Sequence, residues 1–405
     1  MGNEIELASV ITDIAAGPFG SNLKVECFVP YGFPIIDGAN LKGYKVTDNL
    51  TKFVTEEKAR FLSRSIARRG DVVVTISGTL GQIAYIPEDS MFEEYLCSQR
   101  QFRVSFDTSQ VYVPYLVFYF HTFEGQNKIL SFANQTGVPA LSQPLKNFKK
   151  IRLYLPDYPT QKKIASIIEA FNDKIECNQK INDNLEQQAV ALFKSWFVDF
   201  SLFGGTVPEN WEDTTLENIT TLITRGIAPK YSDNSDQTVV NQKCIRNHTI
   251  DLSLARTHTP KTINEKWLKF GDLLINSTGD GTLGRVAQVW FAPKALTVDS
   301  HVTIVRPARE ELIFYIGLWG ILHEKEIESL HTGSTGQTEL PRDRVKMLKL
   351  FLPDNISLGR FNSIIAPMAS TIISNQEENQ KLANLRDTLL PKLMSGEIDV
   401  FNIQF

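Results

Sequence analysis

Gly279, Gly281 and Gly284 stand in the spacing GxGxxG directly after the apolar run Leu273-Leu274-Ile275, a pattern that could serve a dinucleotide. Such a site needs a helix N-terminus after the glycines, where free amides and the helix dipole hold the pyrophosphate. The next residues are Arg285-Val286-Ala287-Gln288-Val289-Trp290-Phe291, which alternate as a strand does. The glycines therefore read as a turn. No P-loop pattern, no GxSxG and no HExxH is present. Cys244 and His248 could form half a metal site, but no second pair stands at ligand spacing, and ordinary packing is the preferred reading. The four cysteines lie far apart without a CxxC, which argues against a disulfide framework. The chain shows no catalytic constellation and carries no cofactor motif.

What remains is a set of loops rich in Ser, Thr, Asn, Gln and Arg between apolar strands. Arg suits the edge of guanine and Asn or Gln that of adenine, while Ser, Thr and Lys take phosphates. Polar loops also belong to any solvated domain, so by themselves they leave recognition and plain solvation open.

The elements that would position these loops are legible from periodicity. Ile164, Ile168, Phe171, Ile175, Asn178, Asn182, Leu185, Ala189, Leu192 and Trp196 follow one another at steps of four and three, a heptad seam. A helix of about 36 residues is expected there, roughly 54 Å long at 1.5 Å per residue. So long a rod needs a partner along its apolar stripe. A shift of 197 residues gives that partner: Phe361, Ile365, Met368, Ile372, Asn375, Asn379, Leu382, Arg386, Leu389 and Leu393. Asn178, Asn182, Asn375 and Asn379 fall at matching seam places, where a buried amide costs stability and fixes register.

The sequence before each helix also repeats. Residues 1–155 read as short strands and turns with helical stretches at residues 56–69, where Arg60, Arg64 and Arg68 would share a face, and at residues 114–122. A strand is expected over residues 148–155. Gly70-Asp71 opens an apolar strand into Ser77-Gly78-Thr79-Leu80-Gly81, and Gly271-Asp272 does the same into Thr282-Leu283-Gly284. Thr136-Gly137 is answered by Thr335-Gly336, and Leu155-Pro156 by Leu352-Pro353. The chain is thus read as a tandem duplication with a period near 200 residues. The expected division is 1–156 and 204–354 for two similar domains, with helices over 157–203 and 355–405.

At 405 residues the chain exceeds one ordinary core. A composition of 42% hydrophobic and 22% charged residues indicates neither disorder nor a membrane protein. The acidic opening MGNEIELASV leads into no long apolar run, so a cytoplasmic location is expected. Net charge is −4, with 16 basic against 15 acidic residues in 1–155 and 17 against 18 in 202–352. Contact with DNA would have to come from local basic patches or be shared with a basic partner.

In these features the chain resembles the specificity subunits of type I restriction-modification systems. The resemblance covers nearly the whole sequence. It rests on the Gly-Asp strand with its Thr-x-Gly loop, the later Thr-Gly loop before Leu-Pro, and the helix start Gln161-Lys162-Lys163-Ile164. Residues 357–361 lack the Gln-x-x-Ile start, a departure in the second copy. The resemblance implies an α+β chain with two mixed target recognition domains separated by two long helices packed as an antiparallel coiled coil, a pseudo-two-fold arrangement. It implies a non-catalytic protein that reads a bipartite DNA target and docks two modification (methyltransferase) subunits, with restriction (motor-nuclease) subunits joining. S-adenosylmethionine, ATP and Mg²⁺ would then belong to those partners.

Under that reading the DNA-contacting positions expected in the first domain are Gly20, Ser21, Lys24, Ser77, Thr79, Asn134, Gln135 and Thr136. In the second they are Arg225, Lys230, Tyr231, Asn276, Thr278, Thr282, Ser334, Thr335 and Gln337. The competing reading is a DNA-independent coiled-coil scaffold, or a decoy that captures modification subunits.

Overall fold

The computed structural model describes residues 2–134, 138–279, 281–333 and 338–402. Two compact units emerge, one of Met1–Ile175 with Gln380–Phe405 and the other of Glu176–Asn379. Both long helices run through this division, so each unit owns a part of each helix.

In the first unit the central sheet has the antiparallel order Ile11–Ala16, Gln101–Phe106, Val72–Thr75, Ile83–Tyr85. Val72–Thr75 is buried at all four positions because both faces of its sheet are covered, which is why the sequence runs Val-Val-Val without alternation. A second sheet pairs Phe33–Ile36 parallel to Glu94–Cys97, with Ile35 opposite Leu96. Asn3–Glu6 closes on Arg152–Leu155.

The second unit repeats this plan. Its central sheet runs Thr220–Arg225, Val302–Pro307, Leu273–Asn276, Val286–Gln288. Thr238–Val240 lies parallel to Leu296–Val298, and Glu212–Thr215 closes on Lys349–Leu352. The registers correspond, Val72 facing Val104 as Leu273 faces Val305. The duplication read from the sequence is therefore a duplication of topology.

The first long helix spans Tyr158–Phe197 and the second Asn355–Ser395. Every expected seam residue of both is buried or half-buried. In the first unit Ile164, Ile167 and Ile168 share a core with Leu390 and Leu393. In the second, Ala189, Phe193 and Trp196 share one with Phe361 and Ile365. The start of each helix thus meets the end or later half of the other, so the pair is antiparallel. The asparagines do what a register device requires: Asn178 Nδ2 donates to Asn379 Oδ1 at 2.9 Å and to Glu378 Oε2 at 2.7 Å, and Asn375 Nδ2 donates to Asn182 Oδ1 at 2.8 Å. Near the outer ends the buried face widens beyond the seam, taking in Ala165 and Ile167 or Phe193 and Phe197. There the helix is part of a domain core as well as a coiled-coil strand.

Two local expectations are corrected. Residues 56–69 are not one helix: Glu56–Phe61 is helical, Ser63–Ser65 is a 3-10 turn and Ile66–Arg68 is a strand. Arg60 and Arg68 are instead gathered by one carboxylate, Glu94, at 2.6 and 3.1 Å. Pro144–Lys149 is helical, so the strand expected from residue 148 begins only at Arg152. Pro144 fits the first helical turn, where its missing N–H costs nothing.

The second copy lacks the Gln-x-x-Ile start, but its helix opens on the same aspartate as the first: Asp354 stands 197 residues after Asp157, which accepts from the Thr160 amide at 2.9 Å. Asp354 accepts from the amides of Ile356 and Ser357 at 2.9 and 3.0 Å, from the Ser357 hydroxyl at 2.8 Å and from the Trp211 indole at 2.9 Å. Partial burial works against its charge, but the Ser357, Trp211 and Ile356 donors outweigh it and hold the carboxyl down at about 2. A group depressed in this way contributes stability that is complete above its ordinary 3.8 and lost as pH falls through about 2. Acid titration followed by tryptophan fluorescence is therefore expected to show a loss of the native signal in that window that Asp354→Asn removes. An identical acid profile in the variant would overturn the assignment.

Candidate nucleic-acid interface

In the first unit three turns converge at one edge of the central sheet. Gly17 makes the convergence possible: a Cβ there would lie 1.8 Å from the Ser98 carbonyl oxygen, so only glycine lets this turn rest on the next. The Gly17 amide donates to the Gln101 carbonyl at 2.8 Å. Gln99 Nε2 then donates to the carbonyls of Gly20 and Leu23, each at 2.7 Å, and holds residues 20–23 in place. The Ile76 amide donates to the Arg100 carbonyl at 2.6 Å, which brings Ser77, Gly78 and Thr79 alongside.

These turns border a cleft of about 600 Å³ lined by Lys52, Ser77, Thr79, Gln99 and Arg100 among others. Its floor is internally satisfied. Gln82 donates to the Gly38 carbonyl at 3.0 Å and accepts from Thr75 at 3.1 Å, and Lys52 pairs with Asp37 at 2.6 Å. Burial opposes the Asp37 charge, but Lys52 and the Ala39 amide overcome it and keep the carboxyl below its usual range. The rim offers groups for a ligand: Ser21, Lys24, Thr79, Gln99 and Arg100 are exposed and Ser77 is half-exposed. Gly20 lies on the same turn, and Asn134 is exposed in the short strand Ala133–Asn134. Gln135 and Thr136 lie outside the described residues.

The second unit brings the corresponding turns together. A Cβ at Gly226 would lie 1.9 Å from the Val298 carbonyl oxygen, and the Gly226 amide donates to Val302 at 3.1 Å. The Ser277 amide donates to the His301 carbonyl at 2.8 Å, as Ile76 does to Arg100. Thr278 Oγ1 meets His301 Nδ1 at 2.7 Å and Gln242 Oε1 at 3.3 Å. Tyr231 is 40% exposed, with the Arg256 guanidinium 3.7 Å over its ring, and Lys230 beside it is exposed.

Several expected contacts have other occupations. Asn276 is wholly enclosed and donates to the Gln242 carbonyl at 3.1 Å, so it braces the turn rather than facing outward. Arg225 pairs with Glu339 at 2.5 Å and donates to the Leu340 carbonyl at 2.9 Å, fastening the edge strand to the loop beyond. Thr282 Oγ1 turns back to the carbonyls of Thr278 and Gly279 at 3.4 and 3.3 Å. Ser334, Thr335 and Gln337 lie outside the described residues. The glycine-rich stretch is a turn, as its sequence suggests: the Leu283 amide donates to Gly279 at 3.0 Å, and Val286–Gln288 continues the chain as a strand.

The histidine near Cys244 is accounted for too. Cys244 is buried in the core, whereas His248 sits between Glu186 and Glu324, hydrogen-bonded to the first and 3.5 Å from the second. Glu186 foremost, then Glu324, pushes its imidazole up to about 9. Among the described residues no group of His, Cys, Asp and Glu could hold a metal ion.

Residues 26–187 match the family model described as the type I restriction modification DNA specificity domain. That match takes in the residues that line the cleft except Leu23 and Val25, and most of the first long helix. Similarity to whole specificity subunits extends further. The chain is 25% identical over 373 residues to the type I restriction enzyme MjaIX specificity subunit of Methanocaldococcus jannaschii, covering 86% of this chain and 82% of that one. It is 23% identical over 325 residues to the HindI specificity subunit of Haemophilus influenzae, covering 61% and 69%. Among solved structures, the type I restriction-modification S subunit from M. genitalium matches with a TM-score of 0.57 at 14% identity, covering 96% of this chain and 95% of that one. That likeness is one of fold.

Within the specificity domain, sequence reasoning missed Lys52, Gln99 and Arg100. The signal for Gln99 and Arg100 was present as Ser98-Gln99-Arg100, a polar run between the strands Glu94–Cys97 and Gln101–Phe106, whereas Lys52 lies outside it. Only pairing across the sheet shows that this run faces Ser77 and Thr79. His301, Gln242 and Arg256 of the second copy were missed for the same reason.

Proposed function

We propose that this chain is the DNA-specificity subunit of a type I restriction-modification complex, each of its two loop-bearing domains reading one half of a split target. The observation that carries this reading is the duplicated convergence of three turns on one sheet edge, built both times around a glycine that no larger residue could replace. In the first copy Arg100, Gln99 and Thr79 line the cleft and Lys24 is exposed on the adjoining segment, the donor and acceptor types that meet phosphates and base edges. The chain's net charge of −4 means that such patches must act locally, with further affinity supplied by partners.

Two modification subunits would dock on this chain, and restriction subunits would join them. The methyl donor S-adenosylmethionine, and the ATP and Mg²⁺ for cleavage, would be bound by those partners, leaving this chain without catalysis of its own. Its place of work would be the cytoplasm, where the DNA is. No helix among the described residues is long and apolar enough to cross a membrane.

The test is single-molecule sequencing of genomic DNA from cells carrying this chain with its modification subunit, against cells lacking it. New methylation in a split motif with a fixed gap is expected. If the subunits co-purify and no motif appears, the chain is a scaffold or decoy and the loop residues lose their role.

A further inference from the structure

Phe19 is 91% exposed, and Val25 on the same turn is 79% exposed. An isolated surface apolar group needs no explanation, but the placement of this one is enforced. Gly17 holds the start of the turn against Ser98, and Gln99 clamps Gly20 and Leu23 on the far side of Phe19. The Asn22 amide donates back to the Phe19 carbonyl at 3.2 Å, which tightens the turn at its tip. Phe19 stands exposed on the segment that leads directly into Leu23 and Val25, which line the cleft with Gln99 and Arg100. Lys24 and Arg100 at this rim are exposed and pair with no carboxylate among the described residues. An anionic ligand entering the cleft would meet Arg100 in its lining, with Lys24 and Phe19 exposed on the adjoining segment.

The second copy differs at this position. Counting from the equivalent glycines Gly17 and Gly226, the place of Phe19 is taken by Ala228, which is exposed and too small to reach outward. Farther along that turn the aromatic group is Tyr231, and its ring is already covered by Arg256 at 3.7 Å.

We infer that Phe19 is an apolar reading residue of the first recognition domain, stacking on a base of the first half-site, and that the second domain reads its half-site without such a contact. The inference rests on the proposed DNA-reading function. The bases of a duplex are stacked on one another, so the contact is an apolar wedge into a base step, which costs least at flexible pyrimidine–purine steps and is sequence-dependent for that reason, whereas the flanking Lys24 and Arg100 supply the sequence-independent attraction.

The test uses the assembled methyltransferase complex with Phe19→Ala, Phe19→Leu and, as a control on the second copy, Ala228→Ser. Methylation rates are measured on duplexes substituted base by base through both half-sites, with 2-aminopurine placed at each first-half-site position in turn to report stacking. Phe19→Ala is expected to lower the rate on the native target about 5- to 150-fold. It should flatten the preference at one first-half-site position, abolish the change in 2-aminopurine fluorescence that complex formation causes there and leave preferences in the second half-site intact. Phe19→Leu should keep part of the preference with a smaller fluorescence change, and Ala228→Ser should resemble the wild type. If the wild-type complex methylates a split motif and Phe19→Ala matches it, or weakens all sequences equally, the inference is overturned and the function stands. If the wild type methylates no split motif, the functional reading fails and takes the inference with it.

Discussion

Arg306→Ala is expected to destabilise the second unit by about 3–5 kcal/mol, because it leaves a buried carboxylate without its counter-charge. Arg306 Nε and Nη2 bind the two oxygens of Asp272 at 2.8 and 2.7 Å. Its remaining donors reach the carbonyls of Glu265 and Trp267 at 2.8 and 2.7 Å. Asp272 has no exposed side-chain surface, and Arg306 retains 11%. Asp272 also accepts from the Lys269 amide at 2.8 Å, so the pair ties the turn of residues 265–272 to the strand Val302–Pro307. That strand begins beside His301, at the loops proposed to read DNA. Replacing both partners, as Asp272→Leu with Arg306→Met, is expected to recover most of the loss, since burying an ion pair gains little over well-packed apolar groups. Urea denaturation of the full chain measures this directly. All five tryptophans, Trp196, Trp211, Trp267, Trp290 and Trp319, belong to the second unit, so their fluorescence reports its unfolding. An unshifted midpoint for Arg306→Ala would show that the pair is dispensable. The first copy solves the same problem differently: Asp71, at the place of Asp272, accepts from Ser105 at 2.5 Å and the Arg68 amide at 2.8 Å, and burial leaves its carboxyl raised.

The second large effect is expected at Gln161. Its side chain is fully buried, with Oε1 accepting from the Tyr112 amide at 2.8 Å and Nε2 donating to the carbonyls of Gln110 and Pro156 at 2.9 and 2.8 Å. One amide therefore joins the first turn of the long helix to the segment entering Val113–His121. Gln161→Leu fills the space and strands up to three backbone groups, at a cost of about 2–5 kcal/mol. Hydrogen exchange on the full chain locates the loss: faster exchange is expected at Tyr112 and around residues 153–161. Gln161→Glu should keep the Tyr112 contact and lose both donations. Unchanged protection in Gln161→Leu would mean that the helix is held by Ile164 and Ile168 alone. These bonds give the Gln-x-x-Ile motif a physical meaning, since its glutamine acts as a splice between domain and helix.

Much of this architecture was written in periodicity. The steps of four and three between Ile164 and Trp196 fixed a rod, and their recurrence 197 residues on fixed its partner, because an apolar stripe of that length must be covered. Asn178 and Asn375 could be named as register residues for the same reason: an amide in a seam is costly without a mate. The repeated Gly-Asp strand and its loop identified two copies of one fold, and the strand after Gly284 removed a nucleotide site.

The sequence determined less about which polar side chains are available. Ser77 and Thr79 do face the cleft, but Asn276 and Arg225, of equally suitable types, are engaged by Gln242, Glu339 and Leu340. Whether a side chain braces a turn or faces solvent depends on partners 34 and 115 positions away, and no local pattern encodes them. Phe19 is the converse case. Nothing in its Gly-Pro turn marks it as exposed, and only the folded chain, with Gly17 seated against Ser98, shows it standing 91% exposed.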